Sequence, residues 1–266
     1  ETGIGQKQLQ RSGLTLPRRM AKFPISAKLQ RLQPVYGEKI LVITIYQFEV
    51  SPFCDKVRRA CHYKKLPFEV QEVSLLGAGK YSSAKKLPVI DDDGVRVEDS
   101  TQIVHYLDKK YPDPPLFPQQ AAEKALCNVV EDWADESLYY YDIALHFSFP
   151  ENAKRRAGHL LQHEKPWFRT LMKPLVPGLL RKMGENQGAG RRPREVILDD
   201  IDRHIKSIGD LLDGKDFLLS FGLSAADISV FVELDAIKVA ELGAEIIERY
   251  PAVTAWMERV DALTSA

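Results

Sequence analysis

Ser51-Pro52-Phe53-Cys54 places a hydroxyl and a thiol three residues apart at what reads as the start of a helix. Ser before Pro is a start signal, because Ser caps the helix and Pro suits its first position, where a missing N–H is no loss. On that count Cys54 falls at the third helical position. Both side chains then lie beside unpaired backbone N–H groups and the positive end of the helix dipole, which favours a thiolate or a bound anion. Each residue has two readings. Ser51 is an activating hydroxyl or only an N-cap worth about 1 kcal/mol. Cys54 is a reactive thiol or a small buried residue.

Other side chains with chemical potential are weaker candidates. His159 and His163 have the i, i+4 spacing of metal ligands, but no Glu lies between them and no third ligand is evident, so a solvated helical face and no metal are expected. Tyr46 ends an apolar run and suits a core or pocket wall. Tyr139-Tyr140-Tyr141, Phe147, Phe149, Trp167 and Phe168 either fill a core or line a pocket for an apolar co-substrate.

The elements that must position Ser51 and Cys54 follow from periodicity. The β-branched run over 40–46 predicts a strand, and Val57, Ala60 and Cys61 recur at helical spacing from Pro52 to about Lys64. Residues 68–73 alternate apolar and polar as a half-buried strand does. Residues 75–86, rich in Gly, Ser and Lys, predict a loop or a short irregular helix. Leu87-Pro88-Val89-Ile90 and Val95-Arg96-Val97-Glu98 flank an Asp-Gly turn, the signature of a hairpin. A helix over 100–110 closes a βαβαββα unit. The Pro-rich stretch 112–118 cannot be helix or inner strand and marks a linker.

Everything after 118 has a helical pattern. Over 119–141, Leu126, Val129, Val130, Trp133 and Leu138 form an apolar stripe opposed by Glu131, Asp132, Asp135 and Glu136. Ile197, Ile201, Ile205, Ile208 and Leu212 form a second stripe. Ser224-Ala225-Ala226-Asp227 is a capping box, with Leu223 and Ile228 placed for a hydrophobic staple. Residues 166–192 are apolar, broken by Pro174, Pro177 and Gly178, and end in a Gly-rich stretch from Gly184; the apolar part, 166–183, is suited to rest on a membrane or a partner.

Composition excludes several classes. The 266 residues are 44% hydrophobic and 28% charged, and 37 Lys and Arg balance 37 Asp and Glu, so nothing global points to nucleic acid. No apolar run approaches the roughly 20 residues of a membrane span. Cys54, Cys61 and Cys127 are too few and scattered for a disulfide framework, which points to a reducing, cytoplasmic setting. Residues 1–38 form a basic extension, with Lys7, Arg11, Arg18, Arg19, Lys22, Lys28 and Arg31 among them. Such an arm is a flexible surface segment, a mitochondrial transit sequence, or a peripheral contact with an anionic membrane.

The order of motifs resembles the cytosolic glutathione S-transferase superfamily. A Ser/Cys turn follows the first strand, Lys86-Leu87-Pro88-Val89 precedes the hairpin, Glu98-Asp99-Ser100-Thr101-Gln102-Ile103 opens the next helix, and the capping box comes later. The resemblance implies a thioredoxin-like glutathione-binding domain over 39–111, a linker over 112–118 and an all-helical domain over 119–266 with an insertion near 166–192. It also implies that Pro88 is cis, that Leu87 pairs its backbone with the cysteinyl part of glutathione, that Lys86 holds the glycine carboxylate, and that Asp99 and Ser100 receive the γ-glutamyl group. The glutathione sulfur would then lie over Ser51, whose hydroxyl would activate it.

Ser-Pro-Phe is similar to the tau-type pattern, whereas Cys-Pro-Phe-Cys belongs to omega- and lambda-like members and to type 2 membrane-associated prostaglandin E synthase. Residues 81–88, 133–135 and 183–191 look more like that synthase and the metaxin-like branch. The expected activity is therefore a detoxification-type transfer of the glutathione thiolate to an apolar electrophile, by a chain that forms a homodimer unless the extension or the insertion covers the interface. Alternatives are thiol oxidoreduction or isomerisation through Cys54, and a non-catalytic scaffold that keeps the fold.

Overall fold

The computed structural model describes residues 42–265. The basic extension of residues 1–38, and any transit or membrane role for it, lies outside them.

The β-branched run becomes the inside of a four-stranded sheet. Strand β1 (Ile43–Gln47) pairs in parallel with β2 (Phe68–Glu72) and antiparallel with β3 (Val89–Asp92), and β4 (Val95–Glu98) completes the order β2-β1-β3-β4. Ile43, Ile45 and Ile90 are fully buried, with Ile45 opposite Ile90. The half-buried alternation expected of residues 68–73 is not realised: β2 is an edge strand and Val70 faces solvent. The hairpin turns at Asp93 and Gly94, whose φ of 54° and 87° lie in the left-handed region that Gly and Asp tolerate. Asp92 belongs to the strand and is buried, accepting hydrogen bonds from Tyr106, Lys110 and Tyr111.

Helix α1 (Pro52–Tyr63) follows β1, and α2 (Ser100–Lys110) follows β4. Between β2 and β3 the expected irregular helix is a single 3-10 turn at Ala78–Lys80. The peptide bonds Leu87–Pro88 and Asp113–Pro114 are cis. In the linker, Leu116 and Phe117 are buried, and the Leu116 carbonyl accepts from Ala225 N at 2.8 Å. The linker is thus part of the core.

The rest is helical: α3 (Ala121–Trp133), α4 (Tyr139–Ile143), α5 (Pro150–Leu160), α6 (Pro166–Met172), α7 (Val176–Gln187), α8 (Arg194–Leu211), α9 (Ala225–Lys238), α10 (Glu241–Glu248) and α11 (Pro251–Thr264). Two π-helical turns, Ala134–Leu138 and Ala144–Ser148, flank α4. The α8 stripe is buried as the spacing predicts, from Ile197 to Leu212. At the start of α9 the Asp227 carboxylate accepts from Ser224 N (3.0 Å), Ser224 Oγ (2.7 Å), Leu218 N (2.9 Å) and Trp256 Nε1 (3.0 Å). Leu223 and Ile228 are buried in the same cluster. One core runs from β1 through α1 and α2 into α8, α9 and α11.

The stripe expected over 119–141 is realised in part: Leu138 is buried, Val130 and Trp133 pack against the core, and Asp132 and Glu136 are exposed. Leu126 and Val129 face solvent, while Glu131 and Asp135 are 4% and 8% exposed. The reason is Lys56, which α1 carries into the interior with a fully buried side chain. A buried ammonium needs anionic partners, and α3 supplies them. Lys56 Nζ pairs with the Glu131 carboxylate and donates to Asp135 Oδ2 at 2.8 Å. Apolar packing elsewhere on α3 yields to that requirement.

The insertion folds as α6 and α7, with Pro166 and Pro177 in their first turns. Phe168, Met172, Val176 and Leu180 pack on Ile143, Phe147, Ala157 and Leu161. Gly184 approaches Ser148 so closely that a Cβ would stand 2.7 Å from its Oγ. No other residue fits that contact unchanged.

Candidate functional site

The β1–α1 turn is built as the sequence predicts at its backbone. Ser51 N donates to Phe48 O at 3.0 Å, and Ser51 O accepts from Cys54 N (3.1 Å) and Asp55 N (3.0 Å), which starts α1 with Pro52 at its first position. The Ser51 side chain makes no capping hydrogen bond, so the N-cap reading does not account for its hydroxyl. It counts among the groups that lower the Cys54 thiol against its burial. Arg156 on α5 donates to Val50 O at 2.8 Å and so holds the turn against the helical half.

Cys54 is fully buried among Val73, Ala78, Leu87 and Val89. Burial pushes its thiol up to about 11, against the lowering effects of the Phe48 backbone, Ser51 and Arg58. The helix N-terminus was expected to favour a thiolate; desolvation outweighs it here. Cys61 and Cys127 are likewise buried and free.

A cleft of about 250 Å³ opens beside this turn, lined by Phe53, Ser82, Lys86, Leu87, Pro88, Glu98, Asp99, Ser100, Thr101, Asp135 and Glu136 among others. All five residues assigned to glutathione by resemblance, Lys86, Leu87, Pro88, Asp99 and Ser100, meet there. Ser51 and Cys54 are not among its lining residues; Phe53, from the same turn, is.

Two features fit this cleft for a small peptide with carboxylates. Asp99 caps α2, accepting from Gln102 N at 3.2 Å, with φ 72° and ψ 130°. That conformation is sparsely populated for a residue with a Cβ and persists where the surroundings impose it, often at binding sites. The N–H groups of Ser100 and Thr101, the first of α2, have no partner among the described residues. Such groups receive anions readily. Lys86 is exposed at the rim with no ion pair among the described residues. Glu98 does not compete for cations there: it accepts from Ser82 Oγ (2.7 Å) and Ser83 N (3.0 Å), which holds its carboxyl below the usual range and fixes the 82–83 turn.

The opposite wall comes from the helical half. Asp135 Oδ2 is engaged by Lys56, while Oδ1 is buried without a hydrogen-bond partner. Burial pushes the Asp135 carboxyl up to about 6, with Lys56 pulling the other way. Burial also opposes the charge on Lys56, but Asp135 and Glu131 overcome it and keep the ammonium. Thr101 accepts from Lys56 Nζ (3.3 Å) and donates to Glu131 Oε1 (2.6 Å), which ties the start of α2 to α1 and α3. Phe53 packs at 4.7 Å on Tyr139.

Phe53, Thr101, Asp135 and Glu136 line the cleft, a role assigned to none of them in the sequence. Asp135 and Glu136 read there as a solvated face; the available signal was Lys56, one position before Val57 on the apolar side of α1. Tyr46 stacks on Tyr81 with ring centroids 4.4 Å apart and packs against the cluster around Cys54, a core role and not a wall of the cleft. His163 pairs with Glu49 at 2.5 Å, and no group of three potential metal ligands occurs among the described residues.

Comparison with known proteins gives the same picture. The family model described as Glutathione S-transferase, N-terminal domain, matches residues 45–115, and that for the Glutathione S-transferase, C-terminal domain, matches 165–259. The chain is similar to the isoprene-epoxide–glutathione S-transferase of Rhodococcus sp. (strain AD45), 26% identical over 82% of this chain and 98% of that protein. Prostaglandin E synthase 2 of Danio rerio is 37% identical, but over 25% of this chain and 19% of its own length. Among solved structures, a glutathione S-transferase from Rhodospirillum rubrum superposes with TM-score 0.60 and 21% identity over 83% of this chain and 88% of that one. The beta-etherase LigF from Sphingobium sp. strain SYK-6 gives 0.58 and 21% over 84% and 96%. With both domain models matched in order and that fold around the cleft, the chain belongs to the glutathione S-transferase superfamily.

Proposed function

We propose that the chain binds glutathione in the cleft and transfers its thiolate to an apolar electrophile. The observation that carries this is the meeting of Lys86, Leu87, Pro88, Asp99 and Ser100 in one 250 Å³ cleft. Glutathione carries two carboxylates and one ammonium, and the cleft offers matching groups. The free N–H groups of Ser100 and Thr101 take the γ-glutamyl carboxylate, Lys86 takes the glycine carboxylate, and Asp99 faces the ammonium. The Leu87 backbone, before the cis-proline, pairs with the cysteinyl unit.

The Ser51 hydroxyl, which does not cap α1, donates to the glutathione sulfur and lowers its pKa, giving the nucleophile. Since Ser51 stands outside the cleft lining, the sulfur must reach past Phe53 to meet it. The thiolate attacks the electrophilic carbon of the co-substrate, forming a thioether as the leaving group departs or a strained ring opens. An epoxide, the class in the name of the Rhodococcus relative, is the first electrophile to try. A homodimer belongs to the same proposal, with Leu126 and Val129 exposed on α3 as apolar surface to cover.

Isothermal titration with glutathione, followed by conjugation assays on Ser51→Ala, tests this. Expected is binding at millimolar ligand or better, and a fall in kcat of about 10² or more without Ser51. Full activity in Ser51→Ala would remove the role assigned to the hydroxyl; absence of binding heat would favour a fold kept as a scaffold. Reaction through Cys54 is disfavoured by its burial and its raised thiol pKa, which leaves about one thiolate in 10⁴ at neutral pH.

A further inference from the structure

The α6–α7 insertion carries a surface that the cleft chemistry does not use. Along it, every fourth residue from 168 to 184 turns inward: Phe168, Met172, Val176, Leu180 and Gly184. The residue before each turns outward. Trp167, Leu171, Leu175, Leu179 and Met183 are between 49% and 66% exposed. Scattered exposed leucines are ordinary, but five large exposed apolar side chains alternating with the buried set along one insertion are a concentration of the kind that marks an interaction site.

Charge identifies what the patch meets. Residues 165–184 contain Lys165, Arg169, Lys173, Arg181 and Lys182 and no acid; of the acids that flank them, Glu164 accepts from Leu75 N and Glu185 is exposed near the end of α7. All five are exposed, and none has an ion pair among the described residues. A second copy of the chain docked symmetrically here would set five cations against five, which opposes association. An anionic partner with an apolar interior satisfies both features at once.

We propose that α6–α7 rests on an anionic phospholipid surface. Trp167, Leu171, Leu175, Leu179 and Met183 enter the boundary between headgroups and acyl chains, and the five cations contact lipid phosphates and carboxylates from beside them. No helix among the described residues is long and apolar enough to cross a membrane, so the contact is peripheral. The surface is separate from the glutathione cleft, and this inference stands whether or not the cleft binds glutathione.

Flotation of the full chain with vesicles tests it, comparing phosphatidylcholine alone with phosphatidylcholine containing phosphatidylserine. Trp133 is half-buried and Trp256 buried, so Trp167 dominates any change in fluorescence on binding. Expected are flotation only with the anionic vesicles, weakening with salt, and a blue shift of the emission. The pair Leu171→Glu and Leu179→Glu should lower partitioning about tenfold or more, as should neutralising Arg169, Lys173 and Lys182 together, with melting temperature within a few degrees of wild type. The proposal is overturned if neither vesicle binds. It also fails if both variants float like wild type, which would place the lipid contact elsewhere on the chain. Self-association that the same variants abolish, without vesicle binding, would make the patch a protein interface instead.

Discussion

Replacing Lys56 by Met keeps the length of the side chain and removes its charge. It leaves Glu131 and Asp135 facing each other in a nearly dry interior, with side chains 6% and 10% exposed. Removing one partner of a buried ion pair typically costs about 3–5 kcal/mol, because the remaining charge stays desolvated; two carboxylates share that fate here. For a chain of this size the loss corresponds to a fall in melting temperature on the order of 10 °C. The sign of its pH dependence follows from Asp135. Burial already raises this carboxyl to about 6 in the native protein, above the unfolded value near 4. Without Lys56 it rises further. A carboxyl whose folded pKa is raised favours the fold when protonated, so the penalty relative to wild type is largest above the variant's folded pKa and shrinks as pH falls to the wild-type value of about 6. Thermal and urea unfolding of both proteins between about pH 7.5 and 5 should show the gap narrowing by roughly 1.4 kcal/mol per unit that the pKa is raised. Because Thr101 and Asp135 line the cleft, KM for glutathione should rise as well. A penalty under about 1 kcal/mol at neutral pH, or one that does not vary with pH, would refute the role given to the triad.

Asp99→Gly relieves a left-handed backbone and loses little as a cap, so stability should stay within about 1 kcal/mol of wild type while KM for glutathione rises about tenfold. Steady-state kinetics beside a melt decide between binding and structural roles. Cys54→Ala should keep conjugating activity and lose about 1 kcal/mol of stability by cavity formation; loss of turnover would return the thiol to the mechanism. Glu233 is fully buried, both its oxygens lack partners, and burial together with Asp142 and Asp135 raises its carboxyl well above the usual range. Wild-type stability from this group is present when it is protonated and is lost as pH rises from about 4. Glu233→Gln should therefore melt as high as wild type or higher at pH about 7.5, with the advantage gone near pH 5; a variant that melts lower at both would show an unrecognised partner.

The thioredoxin-like half was legible because its determinants are local. Pro88 before the hairpin, the Asp-Gly turn and Asp99-Ser100 at a helix start all lie within 25 residues, and together they mark the cleft. The α8 stripe was equally plain, since its partners are apolar whichever element supplies them. What escaped was decided by contacts distant in sequence. Lys56 meets Glu131 and Asp135 across separations of 75 and 79 residues, and their pairing brings two acids inward that the stripe places on the solvent side. Cys54 has the position of a reactive thiol, but burial by β3 and the 73–87 segment governs its pKa, and no spacing in its own helix reveals that. The two π-helical turns around α4 also have no local signal; they shift the register between α3 and α5 and bring Tyr139 onto Phe53.

The Lys56 triad also sets how the molecule can breathe. Parting the sheet half from the helical half would wet an ammonium and two carboxylates, and would pull Leu116 and Phe117 out of the shared core. Opening between the two halves would therefore break that triad and expose apolar surface of the shared core. The segment between β2 and β3 is built differently: Leu76, Lys80, Lys85 and Lys86 are exposed there, and a single 3-10 turn is its only regular structure. Lys86 thus comes to the cleft from a stretch of turns, and Asp135 from the packed helical half.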